Sequence, residues 1–190
     1  QFSQMITKAT NLVRILLKES VNAGDCVVDA TCGNGLDTAI LRSLVGETGR
    51  VISVDIQATA LERARKRLPA SVRNVHFVHA CHSTLNQIVE GHPTPTVVVF
   101  NLGYLPGGDK TLITKPETTT EALSHALQII ALGGAVIMVV YRGHAGGEAE
   151  AFSVEQMISA LDPKQFVVMK HQSLNVVGVP PYVLVIERRV

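Results

Sequence analysis

The chain has 190 residues, 46% of them hydrophobic and 17% charged, with a formal net charge of +1. That is enough apolar material for one continuous core, and it excludes a disordered chain. A balance so near zero supplies no global field toward RNA or a membrane surface, so any nucleic-acid contact must come from a local patch.

Apolar groups at Met5, Ile6, Ala9, Leu12, Val13, Leu16 and Leu17 fall at helical spacing, which predicts a helix over residues 2–18 with one buried face. Asn22-Ala23-Gly24-Asp25 ends it, and Cys26 to Ala30 reads as a short buried strand. A glycine turn leads into a helix over Leu36 to Leu44. Val51 to Asp55 is a second strand, and Ala58 to Leu68 a second crossover helix with Arg and Lys on its outer face. Strands follow at Val75 to His79 and Thr96 to Phe100, then a helix over Glu117 to Leu132 and a strand over Ala135 to Val140. A helix over Glu148 to Leu161 precedes two strands, Phe166 to Lys170 and Tyr182 to Ile186, with no helix between them. Alternating strands and helices imply parallel crossovers; the last two strands are expected as an antiparallel pair at one edge. The expectation is one α/β domain over residues 1–190: a Rossmann-like, mostly parallel seven-stranded sheet with helices on both faces.

The three cysteines, Cys26, Cys32 and Cys81, are odd in number and form no C-x-x-C pair. This speaks against a disulfide framework or structural zinc site and for a reducing cytoplasmic setting. No apolar run approaches a membrane span, and the start shows no signal-peptide pattern, so no membrane partner is expected.

Ligands of open parallel sheets sit beyond the carboxyl ends of the strands. There the first strand runs into Asp29-Ala30-Thr31-Cys32-Gly33-Asn34-Gly35-Leu36-Asp37-Thr38. Gly33 and Gly35 allow a tight turn and a close backbone approach at a helix N-terminus. Asp55 ends the second strand, twenty residues after Gly35, where a carboxylate can accept hydrogen bonds from the ribose hydroxyls of a nucleoside. A dinucleotide site wants glycine where this chain has Thr38, and Asp29 and Asp37 would repel a pyrophosphate. The same two acids suit a cationic ligand carrying an ammonium and a sulfonium. S-adenosyl-L-methionine (SAM) is therefore favoured over NAD, and an oxidoreductase or a non-catalytic scaffold is the weaker reading.

DATCGNG-x-DT, VDIQ and NLGYLPGGDK together resemble the class I SAM-dependent methyltransferases labelled putative rRNA methylases, over nearly the whole chain. Within that family the resemblance is to the bacterial tRNA enzymes that methylate 5-aminomethyl-2-thiouridine at the wobble position. The general methyltransferase pattern has a third glycine where this chain has Thr31. The resemblance implies that Asn34 and Asp37 line the methionine end, that Asp55 and Gln57 hold the ribose, and that Cys81 and His82 flank the adenine. Read alone, His82 is a solvated loop histidine.

The loop after the fourth strand holds the acceptor in a methyltransferase. Many amino-group methyltransferases carry N-P-P-Y or D-P-P-Y there, and this chain has Asn101-Leu102-Gly103-Tyr104. Asn101 is expected to orient the amine and Tyr104 to stack on or wall the pocket. Asp109, Lys110 and Lys115 follow; Lys115 either meets phosphate or leads into the next helix. After the fifth strand, Tyr141, Arg142 and His144 lie on the same side of the sheet, where Arg142 and His144 could hold phosphate or substrate carbonyls. Asp109, His144 or water could each take the proton that an ammonium must lose before it attacks. Arg63, Arg65, Lys66, Arg67 and Arg73 read as a solvated helix face, and Lys110, Lys115 and Arg142 as the better-placed grip on RNA. The expected partner is the anticodon loop of tRNA, whose wobble base needs little unstacking. rRNA or a small molecule is the alternative acceptor. The Pro180-Pro181 connection between the last strands either covers substrate or packs against a second subunit, making a homodimer possible.

Overall fold

The computed structural model describes residues 8–103, 107 and 113–190. Tyr104, Asp109, Lys110 and the first turn expected of the N-terminal helix lie outside the described residues.

Among the described residues seven strands form one sheet: β1 (Cys26–Asp29), β2 (Arg50–Asp55), β3 (Val75–His79), β4 (Val97–Asn101), β5 (Ala135–Val140), β6 (Phe166–His171) and β7 (Tyr182–Arg188). Their order is β3-β2-β1-β4-β5-β7-β6. The first five pair in parallel, while β7 is antiparallel to both β5 and β6. The expected mostly parallel sheet with an antiparallel last pair is the one observed. β1, β4 and β5 are continuous apolar runs buried on both faces, as a covered parallel sheet requires.

Among the described residues six helices cover the sheet: α1 (Ala9–Ser20), α2 (Leu36–Val45), α3 (Ala58–Arg67), α4 (Leu85–Ile88), α5 (Pro116–Ile129) and α6 (Gly147–Ser159). Alternate strand residues face opposite ways. Val27, Val51, Val97 and Val99 pack with Val13 and Leu17 of α1 and Leu41 and Val45 of α2. Val28, Ile52, Val98 and Phe100 pack on the other side with Leu85, Leu123, Ala126 and Val154, from α4, α5 and α6. Leu61 and Ala64 of α3 close a small cluster with Cys32 and the half-buried Phe77. The 3-10 turn His82–Thr84 and α4 went unread in the sequence, because a seven-residue segment with only two large apolar groups carries no period.

Two features set the functional end of the sheet. The chain leaves β1 toward β2 on one side, while β4 pairs on the other, so the strand order reverses between β1 and β4 and opens a crevice there. Gly35, at φ +76°, starts α2 in a left-handed conformation, and a Cβ there would stand 2.6 Å from the Ala64 Cβ and 2.7 Å from its Cα. Gly35→Ala combines backbone strain with a clash against α3. It is expected to cost about 2–3 kcal/mol of stability, read as a lower denaturation midpoint at unchanged slope.

Candidate active site

A cleft of about 710 Å³ opens at that crevice, a size that suits a small-molecule ligand. The β1 turn contributes Thr31, Cys32, Gly33, Asn34, Leu36 and Asp37. The ends of β4 and β5 contribute Asn101, Leu102, Gly103, Tyr141, Gly143 and His144. Gly107 of the acceptor loop lines it too, and three groups that the sequence did not single out for the site join them: Thr10 and Arg14 of α1, and Val179 of the β6–β7 connection. Nothing in α1 distinguishes Arg14 by pattern, since its place at the cleft depends on how the helix docks. Val179 shows that the connection between the last strands reaches the cleft, although its Leu174 and Val177 are 97% and 98% exposed.

The β1 turn is built around carboxylates. Asp29 is fully buried; its Oδ2 accepts from the Thr38 hydroxyl (2.6 Å) and its Oδ1 from the Thr31 N–H (3.3 Å). The Thr38 hydroxyl also meets Ser53 Oγ at 2.8 Å. Thr38 is thus a buried clamp between β1 and β2, which explains why a threonine stands where a dinucleotide turn wants glycine. Burial pushes the Asp29 carboxyl up to about 7, with the nearby Asp37 charge adding to the rise and the Thr38 and Thr31 bonds opposing it. Asp37, in the first turn of α2, is also raised by burial, against the Asn101 bond and the Arg14 charge, which lower it.

Asp55 is held from two sides: its Oδ2 accepts the Gly33 N–H at 2.7 Å and its Oδ1 the Gln57 N–H at 2.8 Å. Each oxygen keeps a second lone pair, so the carboxylate is aimed without being used up. Asp55 and Gln57 lie at the end of β2 rather than in the lining of the 710 Å³ cleft, on the strand beside it. Cys81 is half-buried after β3, its Sγ accepting from Ser83 Oγ at 3.2 Å. His82 departs from the solvated loop expectation. It is 8% exposed, its ring stands edge-on to Phe100 at 5.9 Å, and it bonds the Ala30 carbonyl. Burial lowers its pKa and keeps it neutral. The cause is the 3-10 turn His82–Thr84, which folds His82 inward against Phe100.

Asn101 ends β4 in the cleft. Its backbone N–H donates to Thr31 Oγ at 2.6 Å, and its side-chain Nδ2 donates to Asp37 Oδ2. Thr31, standing where the general pattern has glycine, thereby fastens the β1 turn to β4. The Asp37 contact also fixes the amide: a carboxylate accepts, so Nδ2 points at Asp37 and Oδ1 is the end left to accept from a substrate. Gly103 follows at φ +128°, with His144 beside it; the His144 Nε2 stands 3.5 Å from where a Gly103 Cβ would be. The His144 Nδ1 lies 3.0 Å from the Ala145 carbonyl, which can only accept, so Nδ1 carries the proton and Nε2 is the accepting nitrogen. Burial and the Asp37 charge raise the Tyr141 hydroxyl, keeping it protonated.

Two expected substrate residues do not join the cleft. Lys115 is the exposed N-cap of α5, where its carbonyl accepts the Thr119 N–H at 2.9 Å. Arg142 is half-buried, 3.9 Å from Glu148 and 5.6 Å over the Tyr182 ring. The helix start and the β7 edge occupy them instead. Among the described residues no group of three or more His, Cys, Asp or Glu could hold a metal, and no helix is long and apolar enough to cross a membrane.

The donor set fits a cationic nucleoside. Two raised carboxyls and a left-handed glycine turn would lose energy against a pyrophosphate and gain it against an ammonium or sulfonium. A carboxyl whose folded pKa lies above its ordinary value stabilises the fold at low pH and loses that contribution as pH rises through the folded value. For Asp29 the window runs from about 4 to about 7. The ligand-free protein is therefore expected to melt lower as pH climbs from 5 to 8. A cationic ligand reverses the cost, so the rise in melting temperature on adding SAM should grow over the same interval. A SAM-induced shift that is flat from pH 5 to 8 would show that these carboxylates are not its electrostatic anchor.

Comparison with known proteins agrees with this chemistry. A family model described as Putative rRNA methylase matches residues 51–187, and one for protein-L-isoaspartate(D-aspartate) O-methyltransferase matches residues 2–83. A protein of Arabidopsis thaliana named "tRNA (mnm(5)s(2)U34)-methyltransferase, chloroplastic" is 38% identical over 191 residues, covering 95% of this chain and 70% of the relative. The crystal structure of a putative rRNA-methylase from Clostridium thermocellum superposes with a TM-score of 0.91 at 38% identity, over 95% of this chain and 97% of the other. A putative methyltransferase from Streptococcus mutans, solved in complex with S-adenosylhomocysteine, gives a TM-score of 0.86 at 32% identity, over 97% and 99% of the two chains. With a carboxylate-lined glycine turn at the switch point and these relatives over nearly its whole length, the chain belongs to the putative rRNA methylase family and is a SAM-dependent methyltransferase.

Proposed function

We propose that the protein methylates RNA, transferring a methyl group to the primary amine of 5-aminomethyl-2-thiouridine at the wobble position of a tRNA anticodon loop. The observation that carries this reading is the Asn101 amide, locked by Asp37 with its oxygen directed away from that carboxylate. An acceptor oxygen at that place selects an N–H nucleophile over a carbon or a carboxylate. The name of the Arabidopsis relative supports the wobble uridine as the particular acceptor.

When bound, SAM supplies an electrophilic methyl carbon on its sulfonium. The chain's own residues then have four tasks. Asp29, Asp37 and the Gly33–Gly35 turn make the environment for the cofactor's positive end, with Asp55 and Gln57 toward the ribose. Asn101 Oδ1 accepts one amine hydrogen and turns the nitrogen lone pair toward the cleft, so that binding supplies orientation. The His144 Nε2, beside Gly103, takes the proton that an ammonium must lose. Tyr104 remains the proposed stacking partner for the base.

The test is methyl transfer from labelled SAM to tRNA carrying the unmethylated aminomethyl wobble uridine, followed by nucleoside mass spectrometry. A mass gain of one methyl group on that nucleoside is expected. Transfer to rRNA or to small molecules with none to this tRNA would overturn the assignment of the acceptor.

A further inference from the structure

The strongest charge on the molecule outside the cleft is on α3 and the turn after it. Residues 62–73 hold five cations against one acid, a local net of +4 in a chain whose net is +1. Arg63, Lys66 and Arg67 are spaced i, i+3, i+4 and so share one helix face, while Arg65 turns away to lie 4.7 Å over the Phe77 ring. All three are exposed. Like charges at this spacing repel. Among the described residues, the ion pairs are Arg142–Glu148 and Lys170–Glu155, neither of them on α3. The face is therefore a concentrated positive charge with no ion-pair partner among the described residues.

Its position gives it a use. The α2 start packs onto α3 at Ala64, so the helix face lies against the cofactor turn. Arg67 Nε donates to the Asn34 carbonyl at 2.9 Å, and Arg63 Nη1 reaches the Gly107 carbonyl at 3.5 Å. Asn34 and Gly107 both line the cleft, from the β1 turn and from the acceptor loop. Each guanidinium spends one donor on a carbonyl and keeps others for a partner. A polyanion lying along Arg63, Lys66 and Arg67 would thus run to the cleft mouth, where a base turned out of its strand meets Asn101.

We propose that the Arg63–Lys66–Arg67 face of α3 is the track that holds the RNA backbone beside the reacting nucleotide. This assigns the RNA grip to the opposite side of the cleft from Lys115 and Arg142, and it rests on the reading of the acceptor as RNA. Contacts to phosphate position a nucleic acid without reading its sequence, which fits an enzyme that selects its target by the modified base in the cleft.

The experiment is tRNA binding by fluorescence anisotropy at several salt concentrations, with wild type, Lys66→Gln and the double variant Arg63→Gln/Lys66→Gln. At about 0.1 M salt the double variant should bind roughly tenfold more weakly. Its plot of log affinity against log salt should be shallower by about 1.4, two single-strand phosphate contacts. Its melting temperature should hold or rise, because like-charge repulsion on α3 is relieved. Equal affinity and equal slope in all three proteins would overturn the proposal, and so would a loss of affinity matched by a fall in melting temperature, which marks a structural role. Binding does not require that the tRNA carry the aminomethyl group, so a wild type that binds with a salt slope yet methylates nothing sinks the acceptor assignment alone. A wild type that binds no tRNA sinks both.

Discussion

Asn101→Ala is expected to lower kcat for methyl transfer by about 10²- to 10³-fold, with little change in SAM affinity. The backbone anchor survives, since the Asn101 N–H to Thr31 Oγ bond does not involve the side chain. What disappears is the oxygen that accepts from the amine, and with it the orientation of the nitrogen. Asn101→Asp keeps the shape but sets a third carboxylate against Asp37 and near Asp29. It should be at least as inactive near neutral pH and recover in part under acidic conditions, where the new pair can share a proton. The measurement is single-turnover transfer with saturating SAM. A kcat within threefold of wild type for Asn101→Ala would remove Asn101 from the reacting centre.

Glu150→Ala is expected to destabilise the molecule by about 4 kcal/mol. Glu150 is 1% exposed on α6, and no cation bonds to it among the described residues. Its Oε1 accepts from the Thr119 hydroxyl at 2.6 Å and its Oε2 from the Thr114 hydroxyl at 2.8 Å. The Thr114 Oγ in turn accepts the Gly103 N–H at 2.8 Å, and the Thr114 N–H donates to the Gly103 carbonyl at 2.9 Å. One interior carboxyl therefore ties α6 to α5 and fastens the two ends of the acceptor loop to each other. Alanine leaves two hydroxyls unanswered and a hole. The melting temperature should fall by about 10 °C, and kcat should fall with it as the loop loses its anchor. Glu150→Gln keeps the volume and one acceptor, and gives the cleaner test. Burial raises the Glu150 pKa, against the opposing pull of Thr119, Thr114 and His144. In the wild type this carboxyl favours the fold at low pH and loses that contribution as pH rises past the ordinary carboxylate value toward its raised one. That part of the pH dependence should vanish in Glu150→Gln. An unchanged stability-against-pH curve would mean that the Glu150 carboxyl titrates alike in the folded and unfolded chain, and would overturn the raised value.

The strands of this fold were legible because parallel strands buried on both faces are written as apolar runs, and β1, β4 and β5 are such runs. The antiparallel last pair followed from the missing helix after β6, whereas the insertion of β7 between β5 and β6 left no trace in the sequence. The chemistry of the β1 turn was legible in part: Asp29 and Asp37 announced a cationic ligand by charge, and Asp55 a ribose by its spacing after the turn. Thr31 and Thr38 looked like departures from a pattern, and only three-dimensional contact shows them binding strand to strand. Glu150 gave no signal, since an acid in the first turn of a helix ordinarily faces water. His82 misled for the converse reason: a polar residue after a strand reads as surface unless the next turn folds it in. Arg14 and Val179 reach the cleft by the way α1 and the last connection dock, and docking leaves no periodic trace.

The placement of β7 also bears on how the protein is made. β5 and β6 are both synthesised before the strand that joins them, and β6 has no other neighbour in the sheet. Translation at about 5–20 residues per second leaves the apolar edge of β5 unpaired for some seconds while residues 141–181 emerge. A ribosome that stalls before Tyr182 holds a nascent chain with β5 open along its edge and β6 unmated, two templates for pairing with a neighbouring chain. β7 thus closes the sheet only after both of its neighbours have emerged, and a chaperone that shields the growing chain has most to do over that interval.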